Sequence, residues 1–394
     1  MKNKKYLNFD KRSGWMKRVQ YGVTFYNPSK AYNGYTLFAS MGCRDMWLID
    51  MQGRFVHRWP MPERPGSYGR LLHDGHLLYG CKLESDKRKE ARDLKLSGYG
   101  GLIREVDWDN NLLWEYEDSF LHHDFCRMEN GNTMVLKWVQ IPPEMMPKVK
   151  GGVAGTEDRG KMWADQFNEV TPEGEVIWKW TSYEHLDPEI YRICPLCDRR
   201  EWTHVNTCVV LPSGDILTSF RNINTICIIG KKTGKIKWEW GSGLAELAHQ
   251  HDPHFLDNGN ILIFDNGVHR AAAEVNCSIV MELNPKTKKI EWEYRGERLG
   301  EFYSSTCSGA QRLPNGNTLI CSTTQACIFE ITDKGERVWE YINPFYGKID
   351  VGVVNWVFKA YRYGPDYPGL KGRKFSIDQL DSWNKIYSSK SIQP

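Results

Sequence analysis

The chain has 394 residues, of which 16 are Trp and 26% are charged, with a formal net charge of +3. That is enough chain for one large core or two ordinary ones, and it is too aromatic for a disordered chain. The small net charge, with no dominant basic run, argues against nucleic-acid binding, and no apolar run reaches the length of a membrane-spanning helix.

The N-terminal stretch MKNKKYLNFDKRSGWMKRVQ is basic but has no apolar segment of the secretory kind. Cysteine occurs 11 times, an odd number. Several of these residues (Cys126, Cys208, Cys227, Cys321) sit in strand-like runs, where a reduced thiol acts as a small apolar group. A cytoplasmic protein with mostly free thiols is expected.

Residues 1–30 carry no repeat and are read as an N-terminal extension that closes or caps the fold. From residue 31 one pattern recurs. The first unit is Asn33–Leu37, Met46–Asp50 and Gly53–Trp59. The second is Leu72–Leu78, Leu102–Asp107 and Asn111–Glu115. Met128–Asn132, Asp165–Val170 and Gly174–Trp178 form the third. The fourth is Leu211–Leu217, Thr225–Ile229 and Gly234–Trp238. Leu256–Phe264, Ile279–Leu283 and Ile290–Glu293 form the fifth, and Leu313–Asn317, Ala326–Ile331 and Gly335–Trp339 the sixth.

Each unit carries a Gly-containing pair suited to the positive φ of a tight turn, then short β-branched and aromatic runs with period-2 alternation. Each ends near a Trp, at 59, 114, 178, 238, 292 and 339, and these six are expected at equivalent positions packing neighbouring sheets. Six such units predict an all-β chain, a six-bladed β-propeller over 31–345, with 346–394 as a C-terminal extension packing on it. Stacked β-sandwich domains are the alternative, but they need linkers and none is visible. Two insertions break the rhythm. One is the charged, then Gly-rich loop 85–100. The other lengthens the third unit at 140–162 and 182–201 and contains Cys194-Pro195-Leu196-Cys197. No second Cys or His pair stands at zinc-finger spacing, so these two read as loop thiols, free or bridged to each other.

In a propeller the innermost strand of each blade lines the central channel. This strand is expected just before each Leu-x-x-Gly turn. His123 stands five residues before Met128, His251 five before Leu256 and His204 seven before Leu211, all on one strand face by period 2. One isolated buried His reads as a hydrogen-bonded structural group. Three at matched repeat positions, with Arg221 on the following strand, point to one site for an anion, because the guanidinium fork matches sulfate, phosphate or carboxylate oxygens. Arg270, Asn266, His122 and His254 are expected as substrate-binding groups. For Arg270 a surface ion pair is the competing reading, and His122, His249 and His254 can instead orient the other imidazoles.

Several segments taken together resemble the arylsulfotransferase family of six-bladed propellers. They are Asn33–Leu37, His122–Phe125, HVNTCVVLPSGDILTSFR (His204 to Arg221), Gln250-His251 followed by Phe264–Gly267, and Phe358–Tyr363. The resemblance implies that a channel His takes a sulfuryl group from an aryl sulfate and passes it to a phenol. It makes His251 the expected nucleophile, with His204, Arg221 and His122 or His123 holding the sulfate. It implies a small aromatic anionic substrate and no cofactor.

Two other readings stay open. His123, His204 and His251 with nearby carboxylates also suit a divalent metal in a lyase or hydrolase. A propeller that only binds partners is the third class.

Overall fold

The computed structural model describes residues 20–387, apart from 85–86, 89–90, 92–93, 95, 242–245, 271–274 and 299. Residues 1–19 of the expected N-terminal extension, and part of the 85–100 loop, therefore lie outside the described residues.

Six antiparallel sheets form a six-bladed β-propeller. In the second to sixth blades the strand before the Gly-containing turn is the first of its sheet, as the repeat requires. The second blade runs Arg64–Leu71, Leu77–Lys82, Gly101–Val106, Leu112–Glu117, and the third Leu121–Arg127, Thr133–Gln140, Trp163–Val170, Val176–Thr181. The fourth and fifth blades begin with Val205–Val210 and His251–Phe255. Outermost strands such as Leu112–Glu117 and Lys289–Tyr294 are largely exposed, whereas second strands such as Ile216–Phe220 and Ile261–Asp265 are wholly buried.

Both chain ends enter the ring. The first strand of the first blade is Val357–Tyr363, paired to Tyr35–Ser40, and Gly22–Tyr26 adds a fifth strand to the last blade beside Arg337–Ile342. The propeller sheets thus extend past the 31–345 span that the repeats delimit. The first blade lacks a strand of its own before its turn, and the tail supplies it. Beyond the tail strand, the helix Asp381–Tyr387 brings Trp383 to 5.0 Å from Trp47.

Five of the six Trp residues expected at equivalent places are equivalent. The indoles of Trp114, Trp178, Trp238, Trp292 and Trp339 donate to the carbonyls of Pro172, Lys231, Pro285, Asp333 and Met51, each in the outer turn of the next blade. In the first blade that place belongs to His57, whose Nε2 lies 3.0 Å from the Trp108 carbonyl. Trp59 is two residues further along and donates to Asp107 instead. Counting from the strand end misplaced it by one pleat.

The channel axis is filled. Lys359, on the tail strand and 1% exposed at its side chain, lies 2.9 Å from Asp252 and 4.0 Å from Asp124. Asp124 also accepts from the Cys208 amide and from the Tyr68 hydroxyl, and Asp252 from the Ala310 amide. Burial alone would strip the Lys359 proton, but the two carboxylates outweigh it and raise its pKa. One buried cation therefore ties the first strands of the first, third and fifth blades.

Candidate active site

The first strands do not keep strict alternation where they carry histidine. The pairing of Leu121–Arg127 slips between Phe125 and Leu121, and that of His251–Phe255 between His254 and His251. His123 (φ 47°), His204 (φ 51°) and Asp252 (φ 58°) lie in the left-handed region that non-glycine residues rarely adopt. Bulges, not the two-residue period, aim these side chains at one end of the channel.

His123 and His204 meet edge to face with ring centroids 4.6 Å apart. His251 and Arg221 are close enough to act electrostatically on both His123 and each other. These four residues, from three blades, make one cluster. His122 stacks on Trp138 at 4.6 Å, and its Nδ1 lies 3.0 Å from that of His123 while its Nε2 faces Asp165 at 3.2 Å. The Asp165 carboxylate facing His122 Nε2 favours the proton there, so His122 Nδ1 accepts from His123 Nδ1 and His123 Nε2 keeps its lone pair. Burial pushes Asp165 up, yet the His122 contacts and the Thr203 hydroxyl hold it below its usual value.

His251 is 1% exposed. Its Nδ1 lies 2.6 Å from Asn266 Oδ1 and 3.1 Å from the His249 carbonyl, so Nδ1 carries the proton and Nε2 the free lone pair. Asn266 is itself fixed by donating to the Ser304 and Cys307 carbonyls. Burial first, then Arg221, depresses the His251 pKa well below 6.5, and burial and the neighbouring imidazoles do the same to His123. Both are neutral near pH 7. His204 Nδ1 sits 2.5 Å from the Glu201 carboxylate.

A pocket of about 350 Å³ opens at this end. His204 and Arg221 line it, and His123 and His251 are buried behind them. Its walls come from the two insertions, through Leu96 and Ser97 on one side and Leu196 to Asp198 on the other. Gly98 (φ +81°) lies so close over the His123 ring that a Cβ there would stand 2.0 Å from it. Arg221 bonds to the Asn222 side chain at 3.0 Å and has no carboxylate partner among the described residues. Its guanidinium fork has the geometry to meet the oxygens of an anion, and Asp198 and Glu201 line the same pocket.

Two expected substrate-binding residues are elsewhere. Arg270, in the loop after Ile261–Asp265, pairs with the buried Asp265 carboxylate and faces a separate pocket beside Trp240 and Arg295. His254, two pleats along its strand, lies beyond Asp252, near Arg70 and Lys359. Asn266 orients His251 and does not line the pocket. The three imidazoles named as alternative metal ligands do not bring three ring nitrogens within 4.8 Å of one another among the described residues. Sequence reasoning missed Glu201, Asp165, Lys359 and His269. Glu201 was signalled only by its i, i+3 spacing to His204, and the others are distant in the chain.

The family model for arylsulfotransferase (ASST) matches residues 90–344, more than half of the chain. The chain belongs to the arylsulfotransferase family. The matched span holds all four clustered residues. No curated protein matches significantly. Among solved structures, a protein of unknown function from Bacteroides caccae is 14% identical, with a TM-score of 0.51 over 84% of this chain and 98% of its own. A streptogramin B lyase is 11% identical at TM-score 0.45, covering 87% of this chain and 93% of its own. Among the described residues of this family member, no helix is long and apolar enough to cross a membrane.

Proposed function

We propose that this chain transfers a sulfuryl group from an aryl sulfate to a phenol, with His251 as the nucleophile. The observation that carries the reading is Arg221, without a carboxylate partner among the described residues, at a pocket wall beside His204 and in front of a neutral His251 whose Nε2 is free. The family membership supplies the reaction class.

The sulfate of the donor is held by Arg221 and His204. Nε2 of His251 forms a bond to sulfur as the sulfur–aryl-oxygen bond breaks, and Nδ1–H stays on Asn266. The leaving phenoxide takes a proton from His204, which Glu201 orients. The acceptor phenol then gives its proton back to His204, and its oxygen displaces Nε2 from sulfur. Arg221 faces the charge on the equatorial oxygens throughout.

The test is release of a coloured phenol from an aryl sulfate in the presence of a second phenol. Rapid-quench mass spectrometry under alkaline conditions then locates the sulfuryl adduct. An adduct on His251, and no turnover by His251→Asn, supports the reading. Turnover by His251→Asn, or an adduct on His204, overturns the assigned nucleophile.

A further inference from the structure

The insertion between the third and fourth blades contributes the turn Cys194-Pro195-Leu196-Cys197, closed by the Cys197 amide donating to the Cys194 carbonyl at 3.0 Å. Across the pocket rim, His249 precedes the first strand of the fifth blade and His269 lies in the loop after its second strand. Ligand atoms of all four residues fall within 4.8 Å of one another. Cys197 Sγ is 3.0 Å from His249 Nε2 and 3.8 Å from His269 Nδ1, and Cys194 Sγ is 3.4 Å from His269 Nδ1. A tetrahedral zinc with ordinary Zn–S and Zn–N bonds requires sulfur–nitrogen separations of about 3.5 Å.

Two further features are those of a built metal site. His249 Nδ1 lies 2.8 Å from the Val268 carbonyl. That contact places the proton on Nδ1 and turns the bare Nε2 lone pair toward sulfur, as the carbonyl partner of a metal-bound histidine does. Both His249 (φ 64°) and His269 (φ 60°) hold left-handed backbone conformations, a cost that persists where side chains must be presented in one direction.

We propose that Cys194, Cys197, His249 and His269 bind one zinc ion. Four protein ligands close the coordination sphere, so the ion is structural and not a Lewis acid for substrate. Binding releases the two thiol protons and leaves two thiolates. The ion fastens the 182–201 insertion to the fifth blade at the rim, where Cys197 and His269 share a pocket wall with His204 and Arg221. It also holds His249, whose carbonyl is one of the two acceptors of His251 Nδ1–H. The proposal does not depend on what the pocket transforms.

The test uses the full chain, kept reduced, with metal content measured on the protein as purified and after stripping with a chelator. One zinc per chain is expected, with near-complete loss in Cys197→Ser and in His269→Ala. The second variant removes an imidazole from a surface loop and keeps folded protein available. Cobalt(II) added to stripped protein is expected to give one equivalent of intense visible d–d absorption with a thiolate charge-transfer band, absent from both variants. Zinc is expected to raise the thermal midpoint of the stripped wild type and not of His269→Ala. Reduced, stripped wild type that takes up neither zinc nor cobalt(II) at micromolar concentration overturns the proposal. So does metal uptake that is the same in wild type and both variants.

Discussion

Nδ1 of His251 lies 2.6 Å from the side-chain oxygen of Asn266. That one contact sets which nitrogen of the imidazole is available for chemistry.

Asn266→Ala removes the acceptor and leaves the Ser304 and Cys307 carbonyls without their donor. Turnover is expected to fall about 100-fold from misorientation of the ring, with a stability loss of about 1–3 kcal/mol. Asn266→Asp keeps an acceptor and adds a negative charge, which favours the imidazolium. In the proposed mechanism the neutral form is the nucleophile, so the acid limb of the pH–rate profile is expected to move to higher pH. An unchanged limb in Asn266→Asp refutes the assigned tautomer.

Arg221→Gln is expected to lower kcat/KM for an aryl sulfate by about 10–100-fold, the worth of a charged hydrogen bond. Arg221→Lys is expected to recover only part of this, since a single ammonium does not reproduce a two-pronged contact. Steady-state kinetics at fixed ionic strength give the answer. Equal activity of Arg221→Lys and wild type rules out a two-pronged contact.

Lys359→Met leaves two buried carboxylates on the channel axis without their cation. The expected cost is about 3–5 kcal/mol, read as a shift in urea midpoint at constant slope. Adding Asp252→Asn to that variant is expected to restore part of the loss, because one stranded charge goes with it. If the double variant is no more stable than Lys359→Met alone, the attraction described for the axis is not what holds it.

His57 is buried between Trp108, stacked at 4.0 Å, and the edge of Trp59, and burial lowers its pKa to about 4. The unfolded chain binds this proton below about pH 6.5, and the folded chain does not until about pH 4. The contribution of His57 is therefore complete above the unfolded value and lost as pH falls through that window, at up to about 1.4 kcal/mol per pH unit. His57→Gln is expected to be less stable at pH 7 but to show a flatter dependence between pH 6.5 and pH 4. Parallel curves for the two proteins dispose of this assignment.

The ring of blades was legible because turn glycines and alternation repeat locally, within each unit. Its seams were less so. Trp59 satisfies a sequence rule that His57 satisfies in space: the residue just past the outer-strand bulge is Trp in five blades and His57 in the first, where the Trp comes two residues later. The site was read from spacing, and the cluster of His123, His204, His251 and Arg221 follows that reading. The geometric reason differs, because bulged backbones with positive φ replace simple alternation. Arg270 and His254 were drawn in by nearness along the chain, which says little where a strand turns its side chains to two faces. The Cys-x-x-Cys pair looked solitary because its two partner imidazoles stand 52 and 72 residues beyond Cys197. No short-range pattern encodes such a meeting; it exists only once adjacent blades are in place.

The strand Val357–Tyr363 completes the blade that begins at Tyr35, and so the order of synthesis matters to this molecule. While a ribosome is still making the chain, five blades can assemble, but the sheet begun by Tyr35–Ser40 keeps one edge unpaired and Asp124 and Asp252 have no Lys359 between them. Ring closure waits for Val357–Tyr363 to leave the exit tunnel. A growing chain therefore carries an open seam from the time Tyr35–Ser40 emerges until Val357–Tyr363 does, and any delay between the two prolongs the time that seam is exposed to other chains.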